Sequence, residues 1–437
     1  SEISWELTDG SGAILYAGTA PTIEMICLPN DARYTLNMYD SYGDGWNGAK
    51  FSLIATSGES VIVQTLVSGI QGDAPINLGD YPNEAPTAIE QIVTLVEKIP
   101  TNITLAGTDP ENDALIYYLA SEPSQGVSTV FNPSPIGSVA TTGLAVASAV
   151  FENTVFVAAY DAGLEIIDIS DDTAPVVIST FDTEGLVWDV KISNDGNTAY
   201  LADEEFGLQI LDISDLTNPV LLGLLDTQGF SLAITLTSDE KTLYIADAYT
   251  LEIVDISNPQ SPVSVGSLPT SGIAYGITLS EDENTVYLAV DTAGMDIVDV
   301  TRSTNPLLLS TYDTPGAARA IVLSDDGNIA FVSDSNFGLQ IVDVSVPASP
   351  VILSSYDTDG SAWGMDISFD GDFVYIADFF GIEVIDVSNE LSPRSMGTFA
   401  TIGAAYGVNL SNDGSKAYIG VGQAGLQIVN AGVTILA

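Results

Sequence analysis

The residues of this chain that could do chemistry are nearly all carboxylates. Its 437 residues hold 59 Asp and Glu against 9 Lys and Arg, a formal net charge of −50, with no His and one Cys. Four acids recur in matching phrases: Asp182 in FDTEG, Asp226 in LDTQG, Asp313 in YDTPG and Asp357 in YDTDG. Paired carboxylates hydrolyse glycosides, so these four invite a catalytic reading. Their equivalence argues against it, since a catalytic pair would break the repeat rather than follow it. A turn or inter-strand hydrogen bond is the better role. A second set, Asp40, Asp44 and Asn47, shares the loop YDSYGDGWNGA, where Gly43 and Gly45 permit a sharp path. Such a compact group of oxygens suits Ca²⁺, although Tyr42 stands where an EF-type series has a ligand. The alternative is a turn held by Asx hydrogen bonds, with Trp46 packed on a sheet.

The missing residue types exclude much. Without His there is no Ser-His-Asp triad and no imidazole metal ligand. One Cys, Cys27 in the apolar phrase MICLP, allows neither an internal disulfide nor a Cys-rich zinc site, and reads as a buried small hydrophobe. Nucleic acid needs clustered Lys and Arg, and anionic lipid would repel the chain. The longest apolar run, near Gly143 to Phe151, is far shorter than the ~20 residues that span a bilayer. The chain is nonetheless 46% hydrophobic, ample for a core. It starts at Ser1 with no apolar leader, which reads as a processed protein whose signal has been removed, the alternative being a trimmed chain.

The elements that must position these residues are repeats. The phrases GLEIIDIS, GLQILDIS, LEIVDIS, GMDIVDV, GLQIVDVS, GIEVIDVS and GLQIVNAG place Asp168, Asp212, Asp255, Asp299, Asp343, Asp386 and Asn430 at steps of 43 or 44 residues. In phase with them, Pro133, Pro175, Pro219, Pro262, Pro306, Pro350 and Pro393 each precede a glycine by ten. Each unit reads as four short strands, with Asn/Asp-Gly turn chemistry in SNDGN, SDDGN, FDGD and SNDGS. Four strands per unit of about 43 residues is propeller arithmetic. The expected fold class is therefore all-β: a seven-bladed β-propeller over 133–437, behind an N-terminal β-sandwich region. Asn430 plus seven is Ala437, so seven copies fill the ring. The strand after Pro133, IGSVATTG, is expected to close the last blade. LQIVDVS and LEIVDIS resemble the LVIVD repeat family of secreted and surface propellers. The tail VTILA is apolar where other copies have polar linkers, so Val433, Ile435 and Leu436 are candidate assembly residues that cap the last blade or reach a neighbouring molecule.

Residues 1–82 show strand-like segments separated by Gly, Asn, Asp and Ser, an all-β sandwich pattern. Their DSYGDGWNG loop resembles that of secreted β-sandwich modules of bacteria and algae. Residues 83–132 resemble the first half of a cadherin-like or bacterial Ig-like repeat, through Thr108-Asp109-Pro110 onward to Gly126. Calcium ligation in that family implies Asp109, Glu111 and Asp113 as candidates. A half-module leaves edges and an apolar face to be covered.

Within the repeats, Trp188 and Trp363 occupy matching places just after a blade glycine, and Arg302, Arg319 and Arg394 are unusual. The two tryptophans are candidates for a ligand face, with core packing the alternative. Asn102 and Asn409 begin N-glycosylation sequons. The expected function is non-enzymatic: an extracellular structural or adhesive surface protein that assembles with copies of itself into a filament or layer. The alternative is a secreted propeller that binds glycan or peptide. Calcium is the one expected cofactor. Neither a nucleic-acid partner nor a membrane span is expected. A net charge of −50 repels itself at low ionic strength. The thermal midpoint should therefore rise on adding NaCl or Ca²⁺, and a flat midpoint in both titrations would refute this.

Overall fold

A computed structural model of the chain describes residues 133–431 apart from 412, together with the backbone of strands on either side of that stretch. Two compact units result, Ser1–Tyr117 and Tyr118–Ala437. In the first, Ile14–Thr19, Ile3–Asp9, Ala32–Asp40 and Gln71–Leu78 pair in that order as one antiparallel sheet. Phe51–Ile54 pairs with Ser60–Gln64, and Thr87–Ala88 with Gly107–Thr108. The side chains that would decide sandwich packing lie outside the described residues.

The second unit contains a ring of seven four-stranded antiparallel sheets. We number the blades from the first whose strands are all consecutive. Their innermost strands are Ala147–Phe151, Val187–Ile192, Ser231–Leu236, Gly276–Leu279, Ala320–Leu323, Met365–Ile367 and Gly407–Leu410. Each packs beside the next around one axis, and the seventh returns to the first. The second and third strands of each blade are sandwiched between neighbouring sheets. The second-strand runs, such as VFVA, are accordingly apolar on both faces, while the third-strand runs, such as LEIID, bury one polar residue, here Glu165. The core lies in seven clusters, one between each pair of neighbouring blades.

Closure follows the expected route. Ser134–Val139 pairs antiparallel with Leu426–Asn430 and forms the outer strand of blade seven, whose other three strands come from the other end of the ring. Ile136 and Val139 pack against Leu426 and Ile428. An ion pair between Lys416 and Asp172 crosses the same seam. The apolar tail does not extend the seventh blade. Val433–Leu436 instead pairs with Ser128–Phe131 of the same chain as a separate two-stranded ribbon.

The periodic acids build turns. Asp168, Asp212, Asp299, Asp343 and Asp386 each accept hydrogen bonds from the backbone N–H and the hydroxyl of the Ser or Thr two residues on. These bonds hold the first four carboxyls below their ordinary pKa, and at Asp386, where burial opposes the shift most strongly, the Ser388 bonds prevail together with the Arg394 guanidinium. On the same face, the hairpin joining the two inner strands needs one left-handed residue. Gly196, Gly327, Gly371 and Gly414 supply it in four blades, and Glu152, Glu240 and Glu283 in the other three. Two of these glutamates hold the preceding blade, Glu240 accepting from the Asn194 N–H and Glu283 from that of Ser238.

Candidate functional site

The opposite face, which we call the upper face, carries the loops that lead from one blade into the next. Asp182, Asp226, Asp313 and Asp357 lie there, exposed, one per inter-blade loop. They are spread round the ring rather than gathered into a pair. The threonine after each acid does the structural work in three of these loops. Thr183, Thr227 and Thr314 donate to Asp203, Asp247 and Asp334, buried at the end of the next blade's second strand. Burial pushes the three buried carboxyls up. Blades one, four and seven lack that buried acid. There Glu165, Asp296 and Gln427 accept from the loop N–H of Thr142 (2.5 Å), Ser271 (2.8 Å) and Ile402 (3.0 Å) instead. The repeat thus satisfies one buried loop in two chemically different ways.

The same face holds a second ring of constraint. Tyr160, Glu204, Ala248, Asp291, Ser335 and Phe379 have φ between 38° and 72°, and Gly422 takes the equivalent place at 59°. Such backbone costs an L-residue roughly 1–2 kcal/mol. It turns a carbonyl toward the next blade in most cases. The oxygens of Tyr160, Glu204, Ala248, Asp291, Ser335 and Gly422 accept from the N–H of Val187, Ser231, Ala274, Ala318, Ala362 and Ala145 at 2.7–3.1 Å. Phe379 meets Ala405 through a strand pair. Each residue so fixed directly precedes one that reaches the channel mouth.

Those seven rim residues occupy one repeat position, three after the blade glycine: Val146, Trp188, Leu232, Tyr275, Arg319, Trp363 and Tyr406. All line one cavity of about 340 Å³ at the ring axis. Arg319 sits between two rings, its guanidinium carbon 4.1 Å from the centroid of Tyr275 and 5.3 Å from that of Trp363. Asp291 pairs with it at 3.4 Å, and its Nε donates to Ser335 Oγ at 3.3 Å. Cation–π contact and an ion pair thus hold the guanidinium in place. Trp188 meets Tyr160 edge to face at 5.1 Å, and its buried indole N–H has no acceptor among the described residues. Trp363, Tyr406, Phe379 and Phe380 form an edge-to-face chain with centroid spacings of 5.5, 5.8 and 6.1 Å. It runs from the mouth out to Phe380, which is 70% exposed.

Below the rim the wall becomes polar, with Asp189, Lys191, Thr235, Thr278, Asp366 and Asn409. The two acids are struts. Asp189 accepts from the N–H of Val190 (2.8 Å) and, in the next blade, Ile234 (3.0 Å). Asp366 likewise holds the N–H of Ile367 (2.9 Å) and Leu410 (2.8 Å), and burial pushes its carboxyl up. Lys191 Nζ lies 3.3 Å from Asp189. Asn409 stands half-buried in this wall, which is not the surface loop that a glycan acceptor occupies.

The structure brings Trp188 and Trp363 to the same rim. Asp40 ends a strand, while Asp44, Asn47, Asp109, Glu111, Asp113, Asn102 and Cys27 lie outside the described residues, as do the side chains of Val433, Ile435 and Leu436. Among the described residues no group of three or more acids or thiols converges as a metal site. Tyr275, Tyr406 and Phe379 escaped sequence reasoning. The signal for the first two was available, since aligning the seven copies and reading the third residue after each glycine gives the rim directly.

Fold and rim together define a seven-bladed β-propeller with an aromatic channel mouth. The LVIVD repeat model matches residues 143–183, 184–227, 239–270, 271–314, 315–358 and 359–401, more than half of the chain. The protein belongs to the LVIVD repeat family. No curated protein matches it in sequence. Among solved structures it is similar to hydrazine synthase of Kuenenia stuttgartiensis, with 17% identity and a TM-score of 0.53, over 68% of this chain and 97% of that one. At that identity the likeness concerns the fold.

Proposed function

We propose that this protein is a binding propeller that grips its ligand at the channel mouth on the upper face, without catalysing a reaction. One observation carries the reading. In repeats whose strands and turns are nearly identical, the rim position varies from Val to Trp to Arg, and it faces a cavity. Scaffold positions of this repeat vary only where a neighbouring group answers the same structural need, as at the inner hairpins and the buried loop acids, whereas the rim position spans aliphatic, aromatic and cationic side chains that share no packing role. A position that meets a ligand is free to differ between blades, because the ligand does not share the seven-fold repeat. The carboxylates near the mouth are engaged with backbone N–H groups, which suits a scaffold better than general acid–base work.

Glycan-array binding and pulldown with Trp188→Ala and Trp363→Ala test this. Each substitution should weaken capture roughly tenfold or more, as loss of a central aromatic contact does, with the far-ultraviolet circular dichroism unchanged. Capture that is equal for all three proteins would refute the mouth as the site.

A specific observation also supports self-assembly. The ribbon of Val433–Leu436 with Ser128–Phe131 has only two strands, and each retains an outer edge among the described residues. Such edges accept a further strand from another molecule. Contacts between subunits this acidic must be strand-paired, apolar or bridged by cations such as Ca²⁺. Electron microscopy of native material, with and without calcium, checks this. Monodisperse monomers alone at high concentration would count against it.

A further inference from the structure

We infer that the ligand of the mouth is a linear, uncharged glycan, which threads one end into the rim and lies along the aromatic track over blade six. The inference rests on the binding reading above and adds the chemistry of what is bound.

Charge decides between ligand classes. Asp182, Glu184, Glu205, Asp226, Asp313 and Asp357 are exposed on the upper loops, so a polyanion is repelled before it reaches the rim. The rim itself already holds a cation. Arg319, paired with Asp291, occupies the space between Tyr275 and Trp363, so a second cation finds that cation–π seat filled. A neutral ligand is neither repelled by the acids nor in need of that seat. The wall asks that this ligand have apolar faces and hydroxyl edges. Tyr406 and Trp363 offer the first, and Lys191, Thr235, Thr278 and Asn409, deeper in the channel, offer donors and acceptors for the second. A pyranose ring has that two-sided character.

Length follows from the track. Trp363, Tyr406, Phe379 and Phe380 continue outward in steps of 5.5–6.1 Å. Phe380 is 70% exposed and Phe379 is 40% exposed. The left-handed backbone at Phe379 is shared by all seven blades, whereas the exposed pair of phenylalanines belongs to blade six alone, and such a pair suits a surface that holds a chain.

Affinity electrophoresis of the full chain tests this, in gels containing hydroxyethylcellulose, galactomannan or dextran as neutral polymers, polygalacturonate as a polyanion and polylysine as a polycation. At least one neutral polymer should retard the protein and polygalacturonate should not. Phe380→Ala, an exposed change that leaves the core intact, should weaken that retardation about tenfold, and Trp363→Ala at least as much. Retardation by no neutral polymer overturns the inference. Retardation by polylysine alone, lost in Trp363→Ala, overturns the glycan while sparing the mouth as a binding site. Neutral-polymer binding that is unchanged in Trp188→Ala, Trp363→Ala and Phe380→Ala overturns both.

Discussion

A chain that begins at Ala140 will fail to form a stable monomer, while one that begins at Pro133 will fold. The shorter chain loses Ser134–Val139, the outer strand of blade seven. Blade seven would then have three strands, with the backbone of Leu426–Asn430 unpaired on a new edge. Ile136 and Val139 leave the cluster that contains Leu426 and Ile428. Two large apolar side chains and several ladder hydrogen bonds amount to about 5 kcal/mol. That is a large fraction of the stability of an ordinary domain. The blades flanking the seam also lose their mutual lock. Lys416 and Asp172 face each other only when the seventh blade lies against the first. Size-exclusion chromatography and thermal melts of the two truncations check this. The chain from Ala140 should elute as aggregate or melt more than about 10 °C lower. Matching melts would mean that the strand merely decorates a ring held by the other blades.

Asp247→Ala is expected to be the most damaging single substitution in the upper-face loops, at about 3–5 kcal/mol. The Asp247 side chain is 1% exposed and gathers three donors: Thr227 Oγ1 at 2.7 Å, the Gly229 N–H at 2.9 Å and Ser231 Oγ at 3.0 Å. Alanine leaves the Gly229 N–H and one hydroxyl without an acceptor, since Thr227 Oγ1 and Ser231 Oγ lie 3.2 Å apart and can bond only each other, and such orphaned groups cost about 1–3 kcal/mol each. Asp247→Asn is milder, because one amide oxygen can still accept while the amide nitrogen faces a donor.

The pH dependence separates charge from hydrogen bonding. Burial raises the Asp247 pKa above its unfolded value. Folding therefore takes up a proton between the two values, and this group's contribution is lost as pH rises through the folded pKa. Asp247→Asn should remove that part of the decline, so its deficit against the natural protein should shrink on going from about pH 4 to pH 7. Chemical denaturation at several pH values measures this. A deficit that grows with pH would show that the charged form is the favoured one in the fold.

Much of this architecture was legible because it is written seven times. Pro, Gly and Asp recur in phase, and an antiparallel strand pattern announces itself through alternation and Asn/Asp-Gly turns. Phase also exposed the closing strand, since Ser134–Val139 has the spacing of an outer strand without the inner strands that normally precede it. The aspartates could be assigned to turns for the same reason. A group that recurs in six or seven blades serves whatever the blades share.

The mouth was harder to read. Trp188 and Trp363 lie 175 residues apart in the chain, and Tyr275 and Arg319 differ from them in type. Nothing local says that these residues meet. They do so because the inner strands converge on one axis, which is a property of the closed ring. The buried position of Asp247 was equally hidden, since YIAD looks the same whether its acid faces solvent or a loop. The course of Val433–Leu436 was left open between a cap on blade seven and a neighbour, and backbone pairing took it to Ser128–Phe131.

By itself, then, the sequence determined the repeating unit, the number of blades, the place of closure and the structural role of the acids that recur at the ends of the third strands. Those depend on short-range pattern and on counting. Only the tertiary structure decided which residues share a cavity, which carboxylates are buried and how Arg319 is seated between Tyr275 and Trp363. Those depend on distances across the ring, which local periodicity does not encode.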